Sequence, residues 1–141
     1  MKKIIRTLII ASLILGISIS SCKSGSDKQE PSKMEAVMAV HDEVMPKMSE
    51  IGKLVSQLKP LADSTENGLP YLKAMTDLQA AHASMMDWMK GFGDRFNYEE
   101  IMEGKPLSDQ KQAWILEEEV KVNAMRDQIN TSIAAATSLL K

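Results

Sequence analysis

The feature that most constrains the fold is a stripe of apolar residues that recurs every three or four positions between Met34 and Leu58. This spacing places the stripe on one face of an α-helix, the face that packs against neighbouring helices. His41 is the one polar residue of the stripe, and Pro46 predicts a kink or break near residues 44–45 because proline lacks an amide hydrogen. The members of the stripe are Met34, Val37, His41, Val44, Met48, Ile51, Val55 and Leu58.

A second helix is predicted from Pro70 to about Lys90, with a break at Gly91-Phe92-Gly93. Its stripe again places one histidine among methionines, at Met75, Leu78, His82, Met85, Met89 and Phe92. One short helical turn is expected at residues 99–102 before a third helix.

The third helix should run from residue 109 to about residue 140, with Ser108 as its N-cap. Its stripe passes through Ile115, Val122, Met125, Ile129, Ile133, Ala136 and Leu140, whereas Glu117 to Glu119 should form a solvated face. Three long helices with short connections predict an all-α fold: an antiparallel three-helix bundle, made of a helical hairpin plus a third long helix.

The first 21 residues have the pattern of a secretory signal peptide, with three basic residues before an apolar run from Leu8 to Ile19. The following Ile19-Ser20-Ser21-Cys22 resembles the bacterial lipobox. This resemblance implies cleavage before Cys22, a diacylglycerol on its sulfur and an acyl chain on its new amino group. The alternative is an ordinary signal peptide followed by a chance cysteine. Cys22 is the only cysteine, so no internal disulfide can form.

The chain therefore divides into a signal peptide (1–21), a lipidated cysteine with a flexible tether (22–33) and a helical domain (34–141). Residues 23–33 contain no aliphatic or aromatic side chain that could be buried in a core. The signal holds three of the 17 basic residues and none of the 19 acidic residues, which leaves the mature chain with a net charge of −5. This negative charge argues against nucleic acid as a partner.

The two histidines and their neighbouring methionines are candidate metal ligands. If the first two helices are antiparallel, equal distances from their connection place His41 opposite Met89 and His82 opposite Met48. Imidazole and thioether form a soft donor set that suits Cu(I), and the same pair can ligate haem. The alternative is core packing, since burying one methionine stabilises a fold by roughly 1.5–3 kcal/mol. The candidate set is His41, Met45, Met48, His82, Met85, Met86 and Met89.

The sequence lacks the common catalytic motifs of enzymes. His41-Asp42 has no further histidines and aspartates of the kind that a metal-dependent hydrolase requires, and neither HExxH nor a nucleophile elbow occurs. We therefore expect a protein that is not an enzyme.

The signal region, the segments HDEVMPKM (41–48) and LQAAHASMMDWMKGFGDRF (78–96), and the C-terminal helical segment resemble a family of small uncharacterised Bacteroidota lipoproteins. Some members are labelled viral A-type inclusion proteins. The resemblance covers nearly the whole chain and implies a lipid anchor in the cell envelope, at the outer membrane, but it implies no activity or site residues. We expect a non-catalytic interaction or structural module that reaches the membrane through its lipid and contacts a protein partner. The alternative is a copper(I)- or haem-binding periplasmic protein.

Overall fold

The computed structural model describes residues 32–141, which form five α-helices and no β-strand. The helices are α1 (Lys33–Val44), α2 (Lys47–Leu58), α3 (Leu69–Arg95), α4 (Tyr98–Met102) and α5 (Asp109–Leu139). α5 packs against α3 and α1, and α2 packs against α3 and α5. The predicted all-α bundle is confirmed. The predicted signal peptide and most of the tether, including Cys22, lie outside the described residues.

The predicted break in the first helix is confirmed and separates α1 from α2 at Met45 and Pro46. The amide of Met45 still donates to the carbonyl of His41 at 2.8 Å, and Pro46 then begins the next helix as its N-cap. α1 itself begins with a capping box, in which the amide of Glu35 donates to Ser32 Oγ and the amide of Ser32 donates to the Glu35 carboxylate. These hydrogen bonds, chiefly the one from the Ser32 backbone, lower the pKa of Glu35.

The predicted break at Gly91-Phe92-Gly93 is wrong, because α3 continues through these residues to Arg95. Phe92 is buried and stacks between Trp88 and Phe96, with ring centroids 4.8 Å and 4.9 Å away. Trp88, Phe92 and Phe96 lie on one side of the chain only if it keeps its helical turn between them. Packing of these rings therefore outweighs the low helix propensity of the two glycines, about 1 kcal/mol each.

The buried face of α3 is rotated by one residue from the predicted stripe at three of its six positions. The buried residues are Ala74, Leu78, Ala81, Met85, Trp88 and Phe92, whereas Met75 is half-buried and His82 and Met89 are exposed. The observed face buries the large Trp88 ring and puts two small alanines where helices meet. Tryptophan removes more apolar surface from water than methionine, which favours this rotation.

α5 confirms the third predicted helix, and Ser108 caps it by accepting a hydrogen bond from the Lys111 amide at 3.4 Å. Most of its predicted stripe is buried, and Ile133 and Leu140 are half-buried. The predicted turn before it is α4, which has its own capping box at Asn97. Gly104 follows with a positive φ of 69° and turns the chain towards α5.

Candidate functional site

The structure spreads the predicted histidine and methionine ligands over the core and the surface. Met85 is fully buried, His41 and Met48 are half-buried, and His82, Met45, Met86 and Met89 are exposed. Met85 and Met86 point to different sides because successive helical residues are about 100° apart. The seven residues therefore do not form one pocket between the helices.

His41 is held in place by its neighbours. Its Nδ1 lies 2.9 Å from Asp42 Oδ1, and its ring stacks on Trp88 with centroids 5.6 Å apart and an interplanar angle of 28°. The prediction placed His41 opposite Met89, so the antiparallel register is one residue from the predicted one at this level. The side chain is 14% exposed, and these contacts favour packing as its role.

His82 borders a shallow groove of about 210 Å³ between α2 and α3, whose other lining residues are Ile51, Gly52, Val55 and Gln79. The prediction placed His82 opposite Met48, but the structure places it one helical turn further along α2. A Cβ atom at Gly52 would have no neighbour within 4 Å, so the groove is open above this residue.

Four exposed side chains, of which His82 borders this groove, are called the methionine face: Met45, His82, Met86 and Met89. His82, Met86 and Met89 share one side of α3 because they are spaced by four and three residues. Met45 lies four residues after His41, which contacts Trp88, and seven residues before Gly52, which lies opposite His82. Counting from either contact in an antiparallel pair places Met45 at the level of residues 84–89. The three methionines are 37–39% exposed.

These positions do not provide an assembled site for a metal or a haem between the helices. Within residues 32–141, no three His, Cys, Asp or Glu side chains come together in a way that could hold a metal ion. The space between the helices is filled by side chains that are at most 2% exposed, among them Val44, Ile51, Leu78 and Met85. A haem between these helices would displace that core. Among residues 32–141, the accessible soft donors include those of the methionine face and Met102 on α4.

A buried carboxylate that the sequence interpretation missed joins α3 to α5. Glu118 is 2% exposed, and it accepts hydrogen bonds from Arg95 Nη1 at 3.0 Å and Lys121 Nζ at 2.8 Å. Arg95 also pairs with Glu117 at 2.7 Å and lies over the Trp114 ring, 5.3 Å from its centroid. Two cations compensate the desolvation of this carboxylate, so its role is structural. Its position on the buried stripe, three residues after Ile115 and four before Val122, is the signal that identifies it.

Glu100 lies at the same end of the bundle and connects α4 to the start of α5. Its carboxylate accepts hydrogen bonds from Lys111 Nζ at 2.6 Å and from the Asn97 amide at 2.9 Å. The Lys111 hydrogen bond first, and the Asn97 amide second, lower the pKa of Glu100. The ammonium group of Lys111 also lies 5.9 Å from the centroid of Phe96. These contacts fix α4 and the following connection against the start of α5.

Beside Glu100 lies a larger groove of about 440 Å³, which we call the end groove. It is bounded by the start of α1, the α4–α5 connection and the first turns of α5, and Ser32 stands at its edge. Its apolar walls are Met34, Pro106, Leu107, Ile115 and Leu116.

The charges around the end groove are paired within the protein. Lys33 contacts Glu119 at 2.9 Å, Lys105 pairs with Glu99, and Lys111 pairs with Glu100. A ligand of this groove would therefore contact apolar walls, and the charged side chains around it would already be in ion pairs.

Comparisons with protein-family models, curated proteins and solved structures find no match for this chain. In residues 32–141, no helix has both the length and the apolar composition that crossing a membrane requires.

Proposed function

We propose that this chain is a lipid-anchored protein of the bacterial cell envelope whose helical domain binds a protein partner and catalyses no reaction. The anchor is supported by the signal-peptide pattern and the lipobox-like residues that end at Cys22. Three acyl chains exceed the two signals that stable attachment to a membrane requires. Binding is supported chiefly by one observation, the exposed methionine face, whose His82 borders an open groove.

The methionine face has the properties of an adaptable protein-binding surface. Methionine side chains are flexible and polarizable, so they adjust to the shape of a partner. The groove above Gly52 gives a partner side chain a place to enter between α2 and α3. A partner helix with apolar residues at three- and four-residue spacing matches such a surface, because helices commonly bind in apolar grooves through this spacing.

Capture of the partner from cross-linked cell envelopes tests this proposal. Met86→Lys/Met89→Lys should reduce the amount of the captured partner by about tenfold or more, since burial of one methionine is worth roughly 1.5–3 kcal/mol and 1.4 kcal/mol is tenfold in affinity. Met102→Lys is the matched control, because Met102 is 64% exposed on α4, away from this face. Equal capture by all three proteins would contradict the proposal.

A second candidate function is binding of Cu(I) at the methionine face. It is favoured by the four- and three-residue spacing of His82, Met86 and Met89, which presents one imidazole and two thioethers to solvent on one side of α3. Residues 23–141 should then take up Cu(I) in a competition titration, and His82→Leu should weaken the binding while Met102→Leu should not. Absence of tight copper binding, together with a visible spectrum that has no Soret band, would remove both the copper and the haem alternatives.

A further inference from the structure

We propose that the end groove is a binding site for one fatty-acyl chain carried by Cys22 of the same molecule. This inference rests on the lipid anchor of the proposed function. The helical domain would then do more than bind a partner, because it would compete with the bilayer for one acyl chain of its own anchor.

The connectivity of the chain brings the anchor within reach of the groove. Ser32 stands at the edge of the groove, and Cys22 lies ten residues before it. Ten residues span up to about 35 Å when fully extended, so this length of chain allows the Cys22 lipid to come to the edge of the groove. A ligand attached so few residues from its site has an effective concentration in the millimolar range when the connection permits contact, which favours it over a dissolved ligand.

The chemistry of the walls selects an apolar, uncharged occupant. Met34, Leu107, Ile115 and Leu116 face the groove, and Leu116 is 53% exposed although it is apolar. Within the described part of the chain, Lys33, Lys105 and Lys111 beside the groove are each paired with a carboxylate, which disfavours an anionic ligand. The volume of about 440 Å³ is within the range of roughly 300–1,000 Å³ that is typical of small-molecule sites.

The composition of the tether indicates which apolar group would occupy the groove. Residues 23–31 are polar or glycine apart from Pro31, and none has an aliphatic or aromatic side chain. In a mature chain that begins at Cys22, the acyl chains are therefore the large apolar groups of the segment that precedes Ser32 in the sequence. Withdrawal of one of three chains leaves two in the bilayer, the number of anchoring signals that stable attachment needs.

Photo-crosslinking tests the assignment on the full lipidated protein. Producing cells are supplied with a palmitic acid analogue that carries a diazirine, and their isolated envelopes are irradiated with the bilayer intact before the protein is purified. Digestion and mass spectrometry then locate the cross-links. The expected result is a bond within one chain between the Cys22 lipid and the peptides of residues 106–121, which contain Leu107 and Leu116.

Two matched variants make this result specific. Leu116→Glu should lower the yield of the cross-link several-fold, whereas Val120→Glu should leave it unchanged. Val120 is 70% exposed one turn further along α5 and does not line the groove, so both variants add the same charge to an exposed position of one helix. Equal yields in the two variants would overturn the proposal. So would cross-links that join two chains, or groove peptides that carry a membrane phospholipid instead of the Cys22 lipid.

The intact mass of the same sample distinguishes a failure of the groove assignment from a failure of the lipid anchor. A lipidated Cys22 without the intramolecular cross-link overturns only the groove assignment. An unmodified Cys22 overturns the anchor and, with it, the proposal that depends on it.

Discussion

Replacement of both Gly91 and Gly93 by alanine should stabilise the domain, because both residues lie inside α3. A Cβ atom at either position would have no neighbour within 4 Å, so alanine adds no steric conflict. Alanine in a helix interior is favoured over glycine by roughly 0.5–1 kcal/mol, since the unfolded chain loses less conformational freedom on folding. The double variant should therefore gain about 1–2 kcal/mol.

Urea denaturation followed by circular dichroism measures this gain, which also corresponds to a rise in Tm of roughly 4–8 °C for a domain of this size. Gly104→Ala is the control of opposite sign, because Gly104 has a φ of 69° and a left-handed conformation costs an alanine roughly 1–2 kcal/mol. Loss of stability in Gly91→Ala/Gly93→Ala would show that the segment is not a continuous helix and would refute the account of the Trp88–Phe96 stack.

Three further predictions concern the end of the bundle where α3, α4 and α5 meet. Phe92→Ala should lower the free energy of unfolding by about 3–5 kcal/mol in urea denaturation, because it removes the middle ring of the stack; a loss below 1 kcal/mol would contradict this packing. Arg95→Ala should lower it by about 3 kcal/mol, because it removes one of the two cations that pair with the buried Glu118 carboxylate. Arg95→Met/Glu118→Leu should lower it less, since the double change also removes the carboxylate; the reverse order would argue against the buried pair. The pKa of Glu100 is lower in the folded protein than its ordinary value of 4.5, so this group stabilises the fold above about pH 4.5 and its contribution is lost as the pH falls towards its folded pKa. Glu100→Gln should therefore lower Tm at neutral pH and make the acid decline of Tm shallower; an identical decline in both proteins would show that Glu100 is not the group responsible.

Sequence periodicity predicts the helices well because it depends on residues close in the chain. The spacing from Met34 to Leu58 predicts the first helical segment, Pro46 predicts its break, and Ser108 predicts the start of α5. Each of these signals acts through the local backbone: the pattern of apolar side chains, a missing amide hydrogen and a capping hydroxyl.

The features that the sequence interpretation missed depend on tertiary packing. Two stripes of α3 share Leu78, Met85 and Phe92, and the choice between them is decided by how Trp88 packs against other helices. The same packing carries α3 through two glycines that by propensity alone favour a break. The run of three acidic residues predicts a solvated face for Glu118, although its spacing matches the buried stripe and Arg95 supplies a countercharge from α3. The candidate ligands followed the predicted face of α3, so the rotation of that face also moved His82 and Met89 to the surface.

The intact mass of the protein purified from cell envelopes tests the central claim most directly, because partner binding at the membrane and the acyl-chain site both require a lipid anchor. We predict a mature chain of residues 22–141 whose mass exceeds that of the polypeptide by a diacylglycerol and an acyl chain, with both modifications on Cys22. An unmodified Cys22, or cleavage at a position other than the Ser21–Cys22 bond, would contradict the account.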